Sequence, residues 1–336
     1  MATSASNRGT LSRHPGRFQV TTVVSDEADT ARPTRYHREQ ARSIITHNQS
    51  PDLHFDSSIN PYRGCEHGCI YCFARPNHAY VDLSPGQDFE AEIFCKDNAA
   101  EVLRDTLRKP GYRCRPLERE RLITREILQV LAECRHPFSL ITKSALVLRD
   151  LDLIAPMAVE GRASVAVSVT TLDNRLKNQL EPRASGGRER LKTVRELARA
   201  GVPVTVLVAP LIPFINDQEL EDIVEQVAAA GARSAGYVAL RLPHEVGPLW
   251  EEWLQRHYPE RAERVMSALK EMHGGASYDS RWHHRQRGQG PMAELLARRF
   301  QVACQRHGLA PRESFTLDSS AFRPPGLAGQ MHLWEA

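Results

Sequence analysis

Arg188-Glu189-Arg190-Leu191-Lys192-Thr193-Val194-Arg195-Glu196-Leu197-Ala198-Arg199-Ala200-Gly201-Val202-Pro203-Val204-Thr205-Val206-Leu207-Val208 holds a charged periodic segment, a glycine stop and an apolar run in succession. Residues 188–200 read as a helix that stops at Gly201, with Pro203 just beyond. Residues 202–208 then form an almost unbroken apolar strand, the pattern of a parallel sheet covered on both faces. Downstream, Asn216 and Glu219 read as a capping box ahead of Leu220, Ile223, Val224 and Val227, and residues 235–240 read as another strand. Upstream, helices are predicted over 98–108 (Val102, Leu103, Leu107), 119–134 (Ile123, Ile127, Val130, Leu131) and 146–157. Strands are predicted over 138–142 and 163–169, with one more at 56–60.

Strands alternating with amphipathic helices mean βα repeats. About six of them predict an α/β fold, a partial (β/α)6 TIM-like barrel rather than a full eight. Beyond Leu242 the pattern is helical, over 246–257, 260–272 and 291–307. The domain reading is a disordered, Ser-, Thr- and Arg-rich segment at 1–40, a barrel at 41–242 and a helical extension at 243–336.

The chain has 336 residues, 41% of them apolar and 25% charged, with a formal net charge of +3. That balance makes no case for nucleic acid by itself. No apolar run approaches the roughly 20 residues of a bilayer span, and Arg8, Arg13 and Arg17 precede no apolar signal region. Seven cysteines, three of them crowded into eight positions, do not suit a secreted disulfide scaffold. A cytoplasmic location without a membrane partner is expected.

The crowded cysteines lie in Gly64-Cys65-Glu66-His67-Gly68-Cys69-Ile70-Tyr71-Cys72-Phe73, a C-x3-C-x2-C motif. Three thiolates this close suit three corners of an iron–sulfur cube and leave one iron for another ligand. Zinc with His67 or a distant cysteine as fourth ligand is the alternative, although zinc motifs generally come as two half-sites and no second C-x2-C occurs. Three unrelated core cysteines are the remaining one. Cys95, Cys114, Cys134 and Cys304 are isolated and read as small buried hydrophobes.

The motif, with aromatic Tyr71 before its last cysteine and a strand ahead of it, resembles the radical S-adenosylmethionine (SAM) signature. Leu140-Ile141-Thr142-Lys143-Ser144, Val167-Ser168-Val169-Thr170-Thr171, Glu181-Pro182-Arg183-Ala184 and Ala209-Pro210-Leu211-Ile212-Pro213-Phe214-Ile215-Asn216-Asp217 are similar to segments of the spore photoproduct lyase-like branch of that superfamily. Tyr278-Asp279-Ser280-Arg281-Trp282 is similar to one bacterial subgroup within it. The resemblance runs from about residue 43 to 306.

It implies a 4Fe–4S cluster on Cys65, Cys69 and Cys72. It also implies SAM as cofactor, reductive cleavage of SAM, and hydrogen abstraction from a substrate that the sequence does not name. Tyr71, Lys143, Ser168 and Arg183 are the candidate cofactor-binding residues, with Lys143 and Arg183 suited to a carboxylate. A flavodoxin or ferredoxin is the implied electron donor. A nucleic-acid repair lyase and a non-catalytic iron–sulfur protein are the rival functions. For the former, Arg281, Trp282, His283, His284, Arg285 and Arg287 form a candidate basic aromatic patch.

One departure stands out. Where members of the subgroup continue with a strand and a Gly-Thr-rich turn, Arg115 here joins directly to Pro116. A weak or absent second strand in 111–117 is therefore expected, with a gap in the wall or with residues 88–94 filling the ladder position. SAM cleavage should suffer while cluster binding survives.

Overall fold

A computed structural model describes residues 8–10, 12, 14–18, 33–53, 55–110, 112, 117–119, 123–311 and 316–326. In chain order β1 (Arg35–Glu39), β2 (Ile45–His47), β3 (Ser57–Ile59) and β4 (Tyr62–Arg63) precede the cysteine loop. After it come α1 (Gln87–Ala91), β5 (Glu92–Lys96) and α2 (Ala99–Arg108). The repeats follow: β6 (Leu117–Arg119), α3 (Thr124–Glu133), β7 (Phe138–Thr142), α4 (Leu151–Val159), β8 (Ala163–Ser168), α5 (Asn174–Leu180), α6 (Gly187–Arg199), β9 (Val204–Leu211), α7 (Leu220–Ala229) and β10 (Ser234–Ala239). Four helices, α8 (Val246–His257), α9 (Pro259–Met272), α10 (His284–Arg287) and α11 (Gly290–Arg306), lead to β11 (Ala310–Pro311).

The main sheet has the order β11-β10-β9-β8-β7-β6-β3-β2. Every pairing in it is parallel except the antiparallel β2–β3 edge. From β3 to β10 its strands stand side by side in chain order with helical crossovers between them, the α/β class that the alternation predicts. β8 is buried along its whole length, and β9 at all but one position. Both faces are therefore covered, which is why these strands read as continuous apolar runs. α6 turns Arg190, Thr193, Val194 and Leu197 inward at helical spacing. The main core joins Val165, Val167, Val204, Val206 and Val208 to Ile127, Leu128 and Leu131.

A second apolar cluster lies against the cysteine loop. Ile70 and Tyr71 pack with Leu176, Leu180, Trp250, Trp253 and Leu254. The two tryptophan rings stack with centroids 4.8 Å apart. The C-terminal helices thus form one wall of the loop's surroundings.

Three expectations need correction. Residues 111 and 113–116 of the expected second strand lie outside the described residues, but a strand is present at Leu117–Arg119. Leu117, Glu118 and Arg119 pair with Ser57, Ser58 and Ile59 on one side and with Phe138, Ser139 and Leu140 on the other, so the sheet has no gap at β6. Residues 88–94 do not fill that place, because β5 belongs to a separate three-stranded sheet ordered β1-β5-β4. The capping box does not form: Glu219 accepts from Thr171 Oγ1 and Leu172 N, and the Asn216 side chain bonds Ile212, Thr170 and Pro210. Within 1–40, where a disordered segment was expected, Arg35–Glu39 is a strand and Thr10 is fully buried. Residues 19–32 and Cys114 lie outside the described residues.

Candidate active site

Parallel α/β sheets present their functional groups at the carboxyl ends of the strands. Lys143 follows the last residue of β7, Ser168 is the last residue of β8, and Thr170 lies two residues further on. Lys143 Nζ donates to Ser168 Oγ (2.7 Å), Thr170 Oγ1 (3.2 Å) and the Ala209 carbonyl (3.0 Å). It also stands 3.0 Å from Glu181 Oε1 and 5.5 Å from the centroid of the Tyr71 ring.

Glu181 is fully buried and joins these groups together. Its Oε1 accepts from Thr170 Oγ1 at 2.7 Å and from the Tyr71 hydroxyl. Its Oε2 accepts from Arg190, whose other nitrogens hold the carbonyls of Ser168 (2.9 Å) and Ser185 (2.8 Å). Burial pushes the Glu181 carboxyl upward in pKa, against the pull of Arg190. The Asn216 side-chain amide ties Thr170 O (2.7 Å) to Pro210 O (2.9 Å), linking the ends of β8 and β9.

The cysteine loop docks on this rim. Ile70 N donates to Leu180 O at 3.1 Å, just ahead of Glu181. Gly64 and Gly68 have φ of +90° and +66°, which a residue with a side chain seldom adopts. Cys69 is buried, while Cys65 and Cys72 are partly exposed, and none of the three is in a disulfide. Burial raises the Cys69 thiol well above the ordinary range, with Glu181 adding to the effect. Arg75, itself fully buried, donates to the carbonyls of Cys69 (2.9 Å), Pro85 (3.1 Å) and Gly86 (2.9 Å) and to Glu90 (2.6 Å). Among the described residues no three His, Cys, Asp or Glu side chains converge as ligands for a single ion.

Tyr71, Lys143 and Ser168 therefore meet, and Arg183 stands apart from them. Its guanidinium pairs with Glu66 at 2.9 Å. Although burial opposes it, the Glu66 carboxyl is held low by hydrogen bonds from Thr34 and Tyr36 and by the charge of Arg183. Lys143 already has an internal carboxylate neighbour, which its place at a strand end did not foretell. Glu181, Thr170, Arg190 and Asn216 were not among the predicted site residues. Glu181, Thr170 and Asn216 lie in segments already singled out, Asn216 there read as a cap, whereas Arg190 read only as part of a helix.

The C-terminal motif also returns to this side. Tyr278 Oη accepts from Arg241 Nη2 at 3.3 Å, and the Arg241 guanidinium lies 5.8 Å from the ring of Phe73, the exposed neighbour of Cys72. The basic patch is less basic than it reads, because Arg281 pairs with Asp279 and Arg285 with Asp52, each at 2.7 Å. Among the described residues no helix is long and apolar enough to cross a membrane.

Comparison with known proteins gives three kinds of likeness. Residues 59–227 match the family model of the radical SAM superfamily. An uncharacterized protein of Mycobacterium tuberculosis (strain ATCC 25618 / H37Rv) is 34% identical over 267 residues, 74% of this chain and 78% of that protein. The sporulation killing factor maturation protein SkfB of Bacillus subtilis (strain 168) is 40% identical over 72 residues, 21% of this chain and 17% of that protein. Among solved structures, a spore photoproduct lyase variant with bound AdoMet and dinucleoside spore photoproduct superposes with a TM-score of 0.59 at 14% identity, covering 88% of each chain. At that identity the likeness is one of fold.

Proposed function

The chain belongs to the radical SAM superfamily, and from that premise we propose that it is an enzyme that uses a 4Fe–4S cluster and SAM to abstract hydrogen from a substrate. One observation carries this reading. The loop bearing Cys65, Cys69 and Cys72 and the rim bearing Lys143 and Ser168 are a single hydrogen-bonded unit, joined through Tyr71 and Glu181. The donor set fits the cluster. A cube offers its irons at separate corners, so three thiolates of one loop can serve it without converging on one point. We read the six parallel strands from β3 to β10 as a six-repeat partial barrel around this unit.

When bound, the cluster and SAM supply one-electron chemistry: reductive cleavage of SAM and hydrogen abstraction. The chain's own groups bind and orient. Lys143 offers a cation at the rim, and an ammonium has three protons to give. To hold a ligand carboxylate it must exchange one of its present partners. Glu181 is already held on its other oxygen by Arg190, so it can release Lys143 without losing all charge compensation. Arg183, turned to Glu66, fits a role in shaping the cysteine loop better than a ligand contact. A one-electron donor such as a flavodoxin or ferredoxin and a cytoplasmic setting complete the reading.

Anaerobic reconstitution tests it. About four iron and four sulfide per chain are expected, with loading lost in Cys65→Ala, Cys69→Ala or Cys72→Ala. Reduced protein given SAM should form 5′-deoxyadenosine. Stoichiometric zinc with no iron–sulfur absorbance would overturn the proposal.

A further inference from the structure

Residues near the start of the chain lie directly against the cysteine loop. Gly9 approaches Gly68 so closely that a Cβ on Gly9 would stand 1.6 Å from the Gly68 carbonyl oxygen. The Gly9 amide donates to Glu90 Oε2 at 2.9 Å. The Thr10 amide and hydroxyl both donate to Glu90 Oε1, each at 3.1 Å. Thr10 and Glu90 are fully buried. The same Oε1 accepts from Arg75 at 2.6 Å, and Arg75 Nε holds the carbonyl of Cys69 at 2.9 Å. Further along, Ser12 Oγ donates to Glu252 of α8 (2.6 Å), His14 O accepts from Ser84 Oγ (2.7 Å), and Arg17 N donates to Glu245 (2.9 Å).

We propose that residues 8–10, 12 and 14–18 belong to a strap that holds the cysteine loop in the shape that accepts its cluster, with Thr10 and Glu90 as positioning residues acting through Arg75 on Cys69. The proposal rests on the reading of Cys65, Cys69 and Cys72 as cluster ligands, and it deepens that reading. Three of the four donors named for the Glu90 carboxylate come from Gly9 and Thr10, and the fourth is Arg75. A carboxylate buried this completely must have its lone pairs satisfied. With the strap gone, water must enter or Arg75 must move toward Glu90. Arg75 also holds three carbonyls, two of them in the segment that follows the loop, so its movement carries Cys69 with it. The close fit of Gly9 on Gly68 fixes where the strap can lie.

The full-length chain serves for the test, read by thiol alkylation of the iron-free protein. Cys134 and Cys304, buried in the main core, act as internal controls. Thr10→Val removes one hydrogen bond to a charged group and should speed alkylation of Cys69 by about tenfold. Thr10→Ser, which keeps the hydroxyl, should restore protection. Gly9→Val, which collides with Gly68, should do more than Thr10→Val and should also lower iron uptake on reconstitution. In all three variants Cys134 and Cys304 should react as in the parent chain. Should Gly9→Val expose those controls as well, the Thr10 pair decides. Parent-like protection of Cys69 in Thr10→Val, or equal effects of Thr10→Val and Thr10→Ser, would overturn the strap. If the parent chain takes up no iron, the proposed function fails, whereas the alkylation contrast judges the strap independently.

Discussion

With Glu181 replaced by glutamine, Tyr71 and Thr170 keep an acceptor, but buried Arg190 loses its counter-charge. Breaking a buried pair in this way should cost about 3 kcal/mol, readable as a lower urea midpoint with an unchanged slope. An unchanged midpoint would mean that the carbonyls of Ser168 and Ser185 suffice for Arg190. Lys143→Met should leave the cluster in place and weaken SAM binding by roughly ten- to a hundredfold, the worth of one charge-assisted contact of about 1.5–3 kcal/mol. Equilibrium dialysis of loaded protein measures it, and an unchanged affinity would confine Lys143 to its partners within the chain. Part of this site was legible in the sequence. Tyr71, Lys143 and Ser168 lie within motifs, and their meeting follows from strand ends sharing one rim. Glu181 and Arg190 could not be read, because nothing in the spacing of 71, 143, 170, 181 and 190 says that one carboxylate touches all of them. The fold alone assembles that contact.

In β6 the side-chain pattern and the backbone pairing part company. Its three residues include two charged ones, so it carries no apolar period, and the sequence reading starts a helix at Arg119 instead. Ladder bonds are made by backbone groups, however, and these must be satisfied between two covered neighbours whatever the side chains. The sheet therefore continues across three rungs. SAM cleavage by this chain should still be slow, and an added strand-and-turn segment between Arg115 and Pro116 should raise 5′-deoxyadenosine formation. Brisk cleavage by the parent chain would show that three rungs are enough. The longer elements were legible because period and punctuation agree: 246–257 and 138–142 are helix and strand as read. The capping box misled because its residues are the right types at the right spacing, yet stronger acceptors and donors lie across the rim. Asn216 spans β8 and β9 there, a use that no local pattern reveals.

Across the whole molecule, the C-terminal residues return to the amino ends of the strands. Asp318 N donates to Gly161 O (3.0 Å) and Arg323 N to Cys134 O (2.9 Å). Phe322 meets His136 edge-on, with centroids 5.3 Å apart. Burial lowers His136 to about 4 from an ordinary 6.5. Below pH 6.5 the unfolded chain takes up a proton that the folded chain refuses until about pH 4. Stability from this group is thus complete above pH 6.5 and lost as pH falls through that window, by at most about 3 kcal/mol. Chemical denaturation of His136→Gln at several pH values should show a shallower acid decline. The parent slope in the variant would place the acid sensitivity elsewhere, His78 and His273 being lowered in the same sense.

The tryptophans behind the cysteine loop set a schedule as well as a shape. Cys72 and Trp253 are separated by roughly 180 residues, which at about 5–20 residues per second is on the order of ten to forty seconds of translation. Throughout that interval the three thiols are outside the ribosome while the side chains that back Ile70 and Tyr71 are unmade or still in the tunnel. If the loop takes the proposed cluster, its assembly waits until Trp250 and Trp253 have emerged, and an early thiol scavenger has the first opportunity. Pulse-labelled iron should enter chains long enough to present both tryptophans and not shorter ones, and iron on ribosome-bound chains ending before Trp250 would show the loop ripening without its wall.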